Sequence, residues 1–118
     1  MSFSCKDEEH LNSGEDFKQV FEIAKGSKQI IAIGVNCSAP QYTESLISIA
    51  KDSGWSGKIL IYANKGKQWD AMKKEFIEDS GVQSDKEYAQ MASGWLNCGA
   101  SMIGGCCQVG PEAIKGMR

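Results

Sequence analysis

Cys37, Cys106 and Cys107 are the residues of this chain best placed to do chemistry. Cys37 follows the apolar run Ile30-Ile31-Ala32-Ile33-Gly34-Val35 and Asn36, and Cys106-Cys107 follow Ser101-Met102-Ile103-Gly104-Gly105. Side chains that neighbour each other on a continuing strand point to opposite faces, so adjacent cysteines serve one site only where the backbone turns. Gly104 and Gly105 supply that freedom and leave room for close approach of other groups. Thiolates grouped in this way bind zinc, which takes cysteine sulfur at roughly 2.3 Å in a tetrahedral arrangement. Three protein ligands with the fourth position open is the pattern of a catalytic zinc rather than a closed structural one. Other readings of the same residues stay open. They are a vicinal disulfide between Cys106 and Cys107, two unrelated buried thiols, and a closed site completed by Cys5. A fourth is a phosphate cradle at Gly104-Gly105, for which the first basic residue downstream is Lys115.

For these cysteines to meet, the elements that carry them must end on one side of the molecule. The continuous apolar run Ile30–Val35 suits a strand buried on both faces, as in parallel sheets. Lys58–Ala63 and Ser101–Gly105 read as further strands, and Met1–Cys5 as an opening one. Between them lie helical stripes: Phe17, Val20, Phe21 and Ala24, with Ser13 as the expected N-cap; then Leu46, Ile49 and Ala50 after Pro40. Trp69, Met72 and Phe76 follow at helical spacing up to Gly81, their aromatics read as core. Ser84 and Glu87 match a capping box ahead of Tyr88, Met91, Ala92 and Trp95, with Gly99 as the terminating glycine. A last helix, Glu112 to Met117, opens at Pro111. Alternation of this kind predicts a parallel α/β sheet with right-handed crossovers. All strand C-termini then lie on one rim, where such folds build their sites. Cys37 and the Cys106–Cys107 pair both fall just past a strand end, so some 70 residues of sequence separation do not keep them apart.

Composition narrows the function classes. The chain has 118 residues, 42% hydrophobic and 24% charged, with a formal net charge of −2. That is ordinary globular composition for one modest domain, and it gives no electrostatic footprint for nucleic acid or an anionic membrane. No apolar run approaches the length of a membrane span, and no basic leader precedes a hydrophobic core. The five cysteines show no disulfide-framework spacing, so reduced thiols in the cytoplasm are the expectation. His10, the one histidine, is expected to be solvated in a loop, and Cys98 to be a small buried hydrophobe in the last turn of its helix.

Gly34-Val35-Asn36-Cys37 and Gly104-Gly105-Cys106-Cys107, in this order, resemble the two zinc-ligand motifs of the homocysteine S-methyltransferase family. Ile61-Tyr62-Ala63-Asn64-Lys65-Gly66 is similar to that family's Tyr-Pro-Asn-x-Gly segment, with Ala63 in the place of the proline. Ser2-Phe3-Ser4-Cys5-Lys6-Asp7 with Glu9-His10 resembles the preceding strand and loop of the branch that uses S-methylmethionine. Lys67 stands where the family often has glutamate, and Gln108-Val109-Gly110 replaces an Arg-Thr-Thr type of sequence. The resemblance covers essentially the whole chain. It implies parallel β/α units forming the C-terminal half, about strands five to eight, of a TIM (β/α)8 barrel. Residues 1–118 would be a single partial homocysteine-binding domain, truncated on its N-terminal side. It implies zinc held by Cys37, Cys106 and Cys107, and Asn36 and Asn64 as polar groups near the substrate, the plainer role for both being to cap strand–loop junctions. The implied reaction is zinc-dependent transfer of a methyl group from a sulfonium donor, S-methylmethionine or S-adenosylmethionine, to the thiol of homocysteine, giving methionine. The competing expectation is an inactive or partner-dependent zinc-binding half-barrel, whose open sheet edges invite pairing with another chain.

Overall fold

The computed structural model describes residues 1–67, 69–70, 72–77 and 80–118, and of Trp69 and Phe76 it describes the backbone. The elements in order are β1 (Ser2–Phe3), α1 (Phe17–Ala24), β2 (Ala32–Asn36), a 3-10 turn at Pro40–Tyr42 leading into α2 (Thr43–Asp52), and β3 (Lys58–Tyr62). Then come β4 (Trp69–Asp70), β5 (Glu75–Phe76), α3 (Asp85–Cys98), β6 (Met102–Ile103) and α4 (Pro111–Gly116). Four strands form one parallel sheet in the order β1-β2-β3-β6. Ser2 stands opposite Gly34, Ala32 opposite Lys58, and Leu60 opposite Met102. The parallel α/β fold expected from the alternation of elements is the fold observed, and the C-terminal ends of β2, β3 and β6 share one rim.

The two faces of the sheet differ. Ile33, Val35, Ile59 and Ile61 are buried and share the face that packs against α1, α2 and α3. Leu60 and Tyr62, on the other face, are half-exposed. So β3 alternates in burial rather than being covered on both sides. The apolar run at Ile30 is also longer than its strand: β2 begins at Ala32, and Ile31 is 77% exposed. Gly34 has a packing reason, because a Cβ there would come within 2.8 Å of the Leu60 carbonyl on the neighbouring strand.

The helices form where the apolar spacing puts them. Phe17, Val20, Phe21 and Ala24 are all buried, and Phe17 meets Phe21 edge-on with centroids 5.0 Å apart, as residues one turn apart on a helix do. Burying each phenylalanine stabilises the fold by roughly 1.5–3 kcal/mol. Asp16, not Ser13, is the N-cap of α1; the Ser13 hydroxyl is turned toward the Glu15 carboxylate instead. In α2, Leu46 and Ala50 are buried as expected, together with Thr43 and Ile47, while Ile49 is only half-buried. The serine half of the expected capping box is present ahead of α3, the Glu87 amide donating to the Ser84 hydroxyl at 3.1 Å, while the Glu87 carboxylate accepts from the amide of Gln83, one residue before the cap, at 3.2 Å. Tyr88, Ala89, Ala92 and Trp95 form its buried stripe, and Gly99 ends it with φ 122°.

The segment from Trp69 to Phe76 departs from the expectation of a helix. It is a short antiparallel hairpin, with Trp69 paired to Phe76 and Asp70 to Glu75, and Met72 is 94% exposed rather than core. The side chains of Trp69 and Phe76, expected in the core, lie outside the described residues. Asp70 accounts for the change. Its carboxylate accepts from the amides of Met72 at 2.9 Å and Lys73 at 3.1 Å, which closes a turn in place of the next helical turn. No helix among the described residues is long and apolar enough to cross a membrane.

Candidate metal centre

Each cysteine of the rim is aimed by a different local device. Past the end of β2, Cys37 adopts a left-handed backbone with φ 48°, uncommon for a residue with a Cβ. Two hydrogen bonds hold it there: its amide donates to the Tyr62 carbonyl at 3.2 Å, and its carbonyl accepts from the Asn64 side-chain amide at 3.1 Å. Buried Ser38 ties the ends of β1 and β2 together, accepting from the Cys5 amide at 2.8 Å and donating to the Asn36 carbonyl at 3.1 Å.

Beyond β6 the chain stays laced to the end of β3. The Gly104 amide donates to the Ile61 carbonyl at 2.8 Å, the Cys106 amide to the Ala63 carbonyl at 2.9 Å, and the Lys65 amide to the Cys107 carbonyl at 3.2 Å. Of the two glycines, Gly105 is the one that space requires, because a Cβ there would lie 2.2 Å from a methyl of Val109. At Gly104 an added Cβ would meet Tyr62 at an ordinary 3.6 Å. The left-handed residue of this turn is Gln108, with φ 66°. Because the amides of Gly104 and Cys106 are committed to β3, the turn does not present them to a phosphate.

The outcome is that the sulfurs of Cys37, Cys106 and Cys107 all lie within 4.8 Å of one another. Cys37 and Cys106 are joined as a disulfide, with Cα atoms 5.6 Å apart. This bond departs from the expectation of reduced thiols, and the vicinal disulfide that the sequence left open is not formed: the Cys106 and Cys107 sulfurs are 3.9 Å apart. Both Cys37 and Cys106 are tied by their amides to the end of β3, to the carbonyls of Tyr62 and Ala63, while Cys107 is exposed. Two thiolates on one tetrahedral zinc sit about 3.8 Å apart, from a Zn–S bond of roughly 2.3 Å, and the Cys106–Cys107 spacing already matches that. With the Cys37–Cys106 bond reduced, this donor set, three soft thiolates from two strand ends, fits zinc, and among the described residues no fourth His, Cys, Asp or Glu joins the group.

Cys5 is not in this group. It is buried, and burial pushes its thiol up to about 11, with the neighbouring Ser38 side chain acting in the opposite direction. A thiol kept neutral by burial stabilises the folded chain fully below its ordinary value of 9.0, and that contribution is lost as pH rises through about 11. The expected result is a decline in unfolding free energy across that window, of up to about 3 kcal/mol, which Cys5→Ala lacks. Urea titrations at closely spaced alkaline pH values check this; identical pH slopes for the two proteins would refute it.

The remaining singled-out residues fall elsewhere. The Asn36 side chain spans the edge strand, accepting from the Ser2 hydroxyl at 2.8 Å and donating to that of Ser4 at 3.0 Å. Asn64 joins two loops, holding the Cys37 carbonyl and accepting from the Gly66 amide at 2.6 Å. His10 is not merely solvated: its Nδ1 meets Asp7 at 2.9 Å and its Nε2 meets Asp16 at 3.3 Å. Cys98 is half-buried against the core rather than fully buried. Two groups that hold the rim were missed in the sequence. Lys65 pairs with Asp85 at 2.6 Å, and the Tyr88 hydroxyl reaches the carbonyls of Ala63 and Gly104. Tyr88 is legible as a core position from its spacing, but periodicity carries no information about where a hydroxyl points.

The family model for homocysteine S-methyltransferase matches residues 1–118. Homocysteine S-methyltransferase 2 of Arabidopsis thaliana is 34% identical over 117 residues, which is 99% of this chain and 34% of that protein. Homocysteine S-methyltransferase 2 of Zea mays is 38% identical over 118 residues, 99% of this chain and 34% of its own length. Selenocysteine Se-methyltransferase of Brassica oleracea var. italica is 34% identical over 99% of this chain and 33% of its own. Among solved structures, the metallated form of the homocysteine methyltransferase MmuM from Escherichia coli superposes with a TM-score of 0.71 at 26% identity, covering 99% of this chain and 33% of that one. Its oxidized form superposes with a TM-score of 0.70 at 27% identity, over 100% and 35%. The chain thus spans about a third of the length of the curated relatives it matches.

Proposed function

This chain belongs to the homocysteine S-methyltransferase family, and on that premise we propose that it carries the thiolate metal centre of an enzyme that moves a methyl group from a sulfonium donor to the thiol of homocysteine. The observation that carries the proposal is the convergence of Cys37, Cys106 and Cys107 within 4.8 Å at the rim of a parallel sheet. Bound there, zinc would supply the positive charge that keeps a substrate thiol, ordinarily titrating near 8.5, deprotonated at neutral pH. The three cysteines hold the metal as thiolates and are not themselves nucleophiles. Asn64 keeps the Cys37 loop in place, and Asn36, fixed by Ser2 and Ser4, offers a polar group on the sheet face away from the helices. In the transfer, the homocysteine sulfur forms the new S–CH3 bond as the sulfonium S–CH3 bond breaks, its electron pair returning to the donor sulfur. The products are methionine and a neutral thioether, with S-methylmethionine or S-adenosylmethionine as the donor. Such a centre needs reduced thiols, and a reducing compartment such as the cytoplasm is where thiols stay reduced.

A second reading, that the chain acts only with a partner, has its own observation. Among the described residues β1 and β6 each pair on one side only. Beside β1 lies an apolar groove of about 240 Å³ lined by Phe3, Leu11, Val20, Ile23 and Ile30. The test is methionine formation from homocysteine and S-methylmethionine by zinc-loaded chain, alone and mixed with a separately expressed piece of a relative that carries the two thirds of its length this chain does not match. Turnover is expected to be slight alone and restored in the mixture, because misplacing thiolate and methyl by about 1 Å can cost on the order of a hundredfold. Turnover alone at the rate of intact relatives would dispose of the second reading. No turnover in either case, with zinc bound, would dispose of the first.

A further inference from the structure

We propose that Tyr88 is a positioning residue for the metal centre: its hydroxyl clasps the ends of β3 and β6 and so sets the spacing of the chain segments that carry the cysteine ligands. The inference rests on the reading of the cysteine cluster as a metal site. Tyr88 lies in the first turns of α3, fully buried, with its ring edge-on to Trp95 at 5.5 Å. The ring is therefore fixed, and the hydroxyl comes up beneath the rim. It donates to the Ala63 carbonyl at 2.6 Å and lies 3.2 Å from that of Gly104.

Both carbonyls lead straight to the site. Ala63 also accepts from the Cys106 amide at 2.9 Å, and it precedes Asn64, whose side chain holds the Cys37 carbonyl. Gly104 precedes the turn that carries Cys106 and Cys107. Regular pairing of β3 with β6 stops at Ile61 and Ile103, so beyond that point the clasp supplements a ladder that is already ending. One hydroxyl thus reaches both halves of the ligand set through the backbone, without touching a sulfur. Burial holds the hydroxyl well above the usual range for tyrosine, so it remains a donor throughout the pH range in which the site would work.

The test uses cobalt(II) as the probe, since its thiolate absorption reports ligand geometry directly. Tyr88→Phe keeps the ring and removes the hydroxyl. Affinity for cobalt is expected to fall about tenfold, the lower end of what loss of an outer partner costs a metal site, with a shift of the thiolate-to-cobalt band. Ile47→Val, a loss of buried volume in α2, serves as the control: it is expected to lower stability while leaving affinity and spectrum unchanged. If Tyr88→Phe loses stability but keeps the affinity and spectrum of the parent, the inference is overturned. Should Tyr88→Phe not fold, Trp95→Phe takes its place, because it keeps the hydroxyl but removes part of the ring that fixes it. Weaker cobalt binding there supports the inference, and unchanged binding overturns it. A parent chain that binds no cobalt when fully reduced overturns the metal reading itself, and Tyr88's role with it.

Discussion

Changing Cys106 to serine is expected to lower zinc affinity by more than a hundredfold and to abolish any methyl transfer the site supports. Outer partners of metal ligands already cost 10–100-fold when removed, and a serine hydroxyl, un-ionised at neutral pH, cannot replace a thiolate. Cys106 is the most damaging of the ligands to lose because it is the middle one. It is bonded to Cys37 and lies 3.9 Å from Cys107; its amide, which pins the turn to β3, is kept in the serine variant, so the loss reports the sulfur alone. Cys37→Ser and Cys107→Ser are expected to follow, while Cys98→Ser, in the last turn of α3, retains full metal. Metal content after dialysis against a graded chelator is the measurement. Stoichiometric zinc in Cys106→Ser would defeat the ligand assignment, as would equal loss in Cys98→Ser.

The second large effect is expected from a single methyl group. In Gly105→Ala the new Cβ would fall 2.2 Å from one Val109 methyl and 2.5 Å from its Cβ. Valine is stiff about χ1, so it cannot swing clear, and either the turn or the following chain moves. Overpacking of this kind costs about 1–3 kcal/mol. Here the displaced segment is the one that aims Cys106 and Cys107, so zinc affinity is expected to drop by at least tenfold alongside the stability. Gly105→Ala combined with Val109→Ala opens the space again and should restore most of both. If the double variant binds zinc no better than the single one, the contact with Val109 is not what Gly105 is for.

Much of this arrangement was legible in the residues. The helical spacing of Phe17, Val20, Phe21 and Ala24 and the Ser84–Glu87 box were readable because each is a local pattern that tertiary packing reinforces. The meeting of Cys37 with Cys106 and Cys107 followed from topology: strand ends in a parallel sheet share a rim, whatever their separation in sequence. Where the reading failed, a local competitor had won. Trp69, Met72 and Phe76 carry helical spacing, but Asp70 captures two amides into a turn and Lys74 takes a left-handed backbone with φ 55°. Ser13 lost its capping role because α1 begins only at Phe17, with Asp16 in the cap position, which leaves the Ser13 hydroxyl beside the Glu15 carboxylate. The thiols expected to be reduced include a Cys37–Cys106 disulfide, because backbone hydrogen bonds of the rim bring those two strand ends together, which spacing does not record.

The backbone of Cys37 sets a conflict between two kinds of selection. A left-handed residue with a Cβ costs on the order of 1 kcal/mol or more, and glycine or asparagine would relieve that cost at φ 48°. Under reducing conditions, where the Cys37–Cys106 disulfide is open and no longer holds the chain together, a library of this chain sorted for heat resistance alone would therefore drift away from cysteine at position 37 and fill with better-folded molecules that hold no metal. Sorted for metal retention, the same library keeps the cysteine and tolerates the strain. Thermostability and competence pull this one position in opposite directions, so an engineer who wants both must recover the deficit elsewhere, in the core beneath the sheet rather than at the rim.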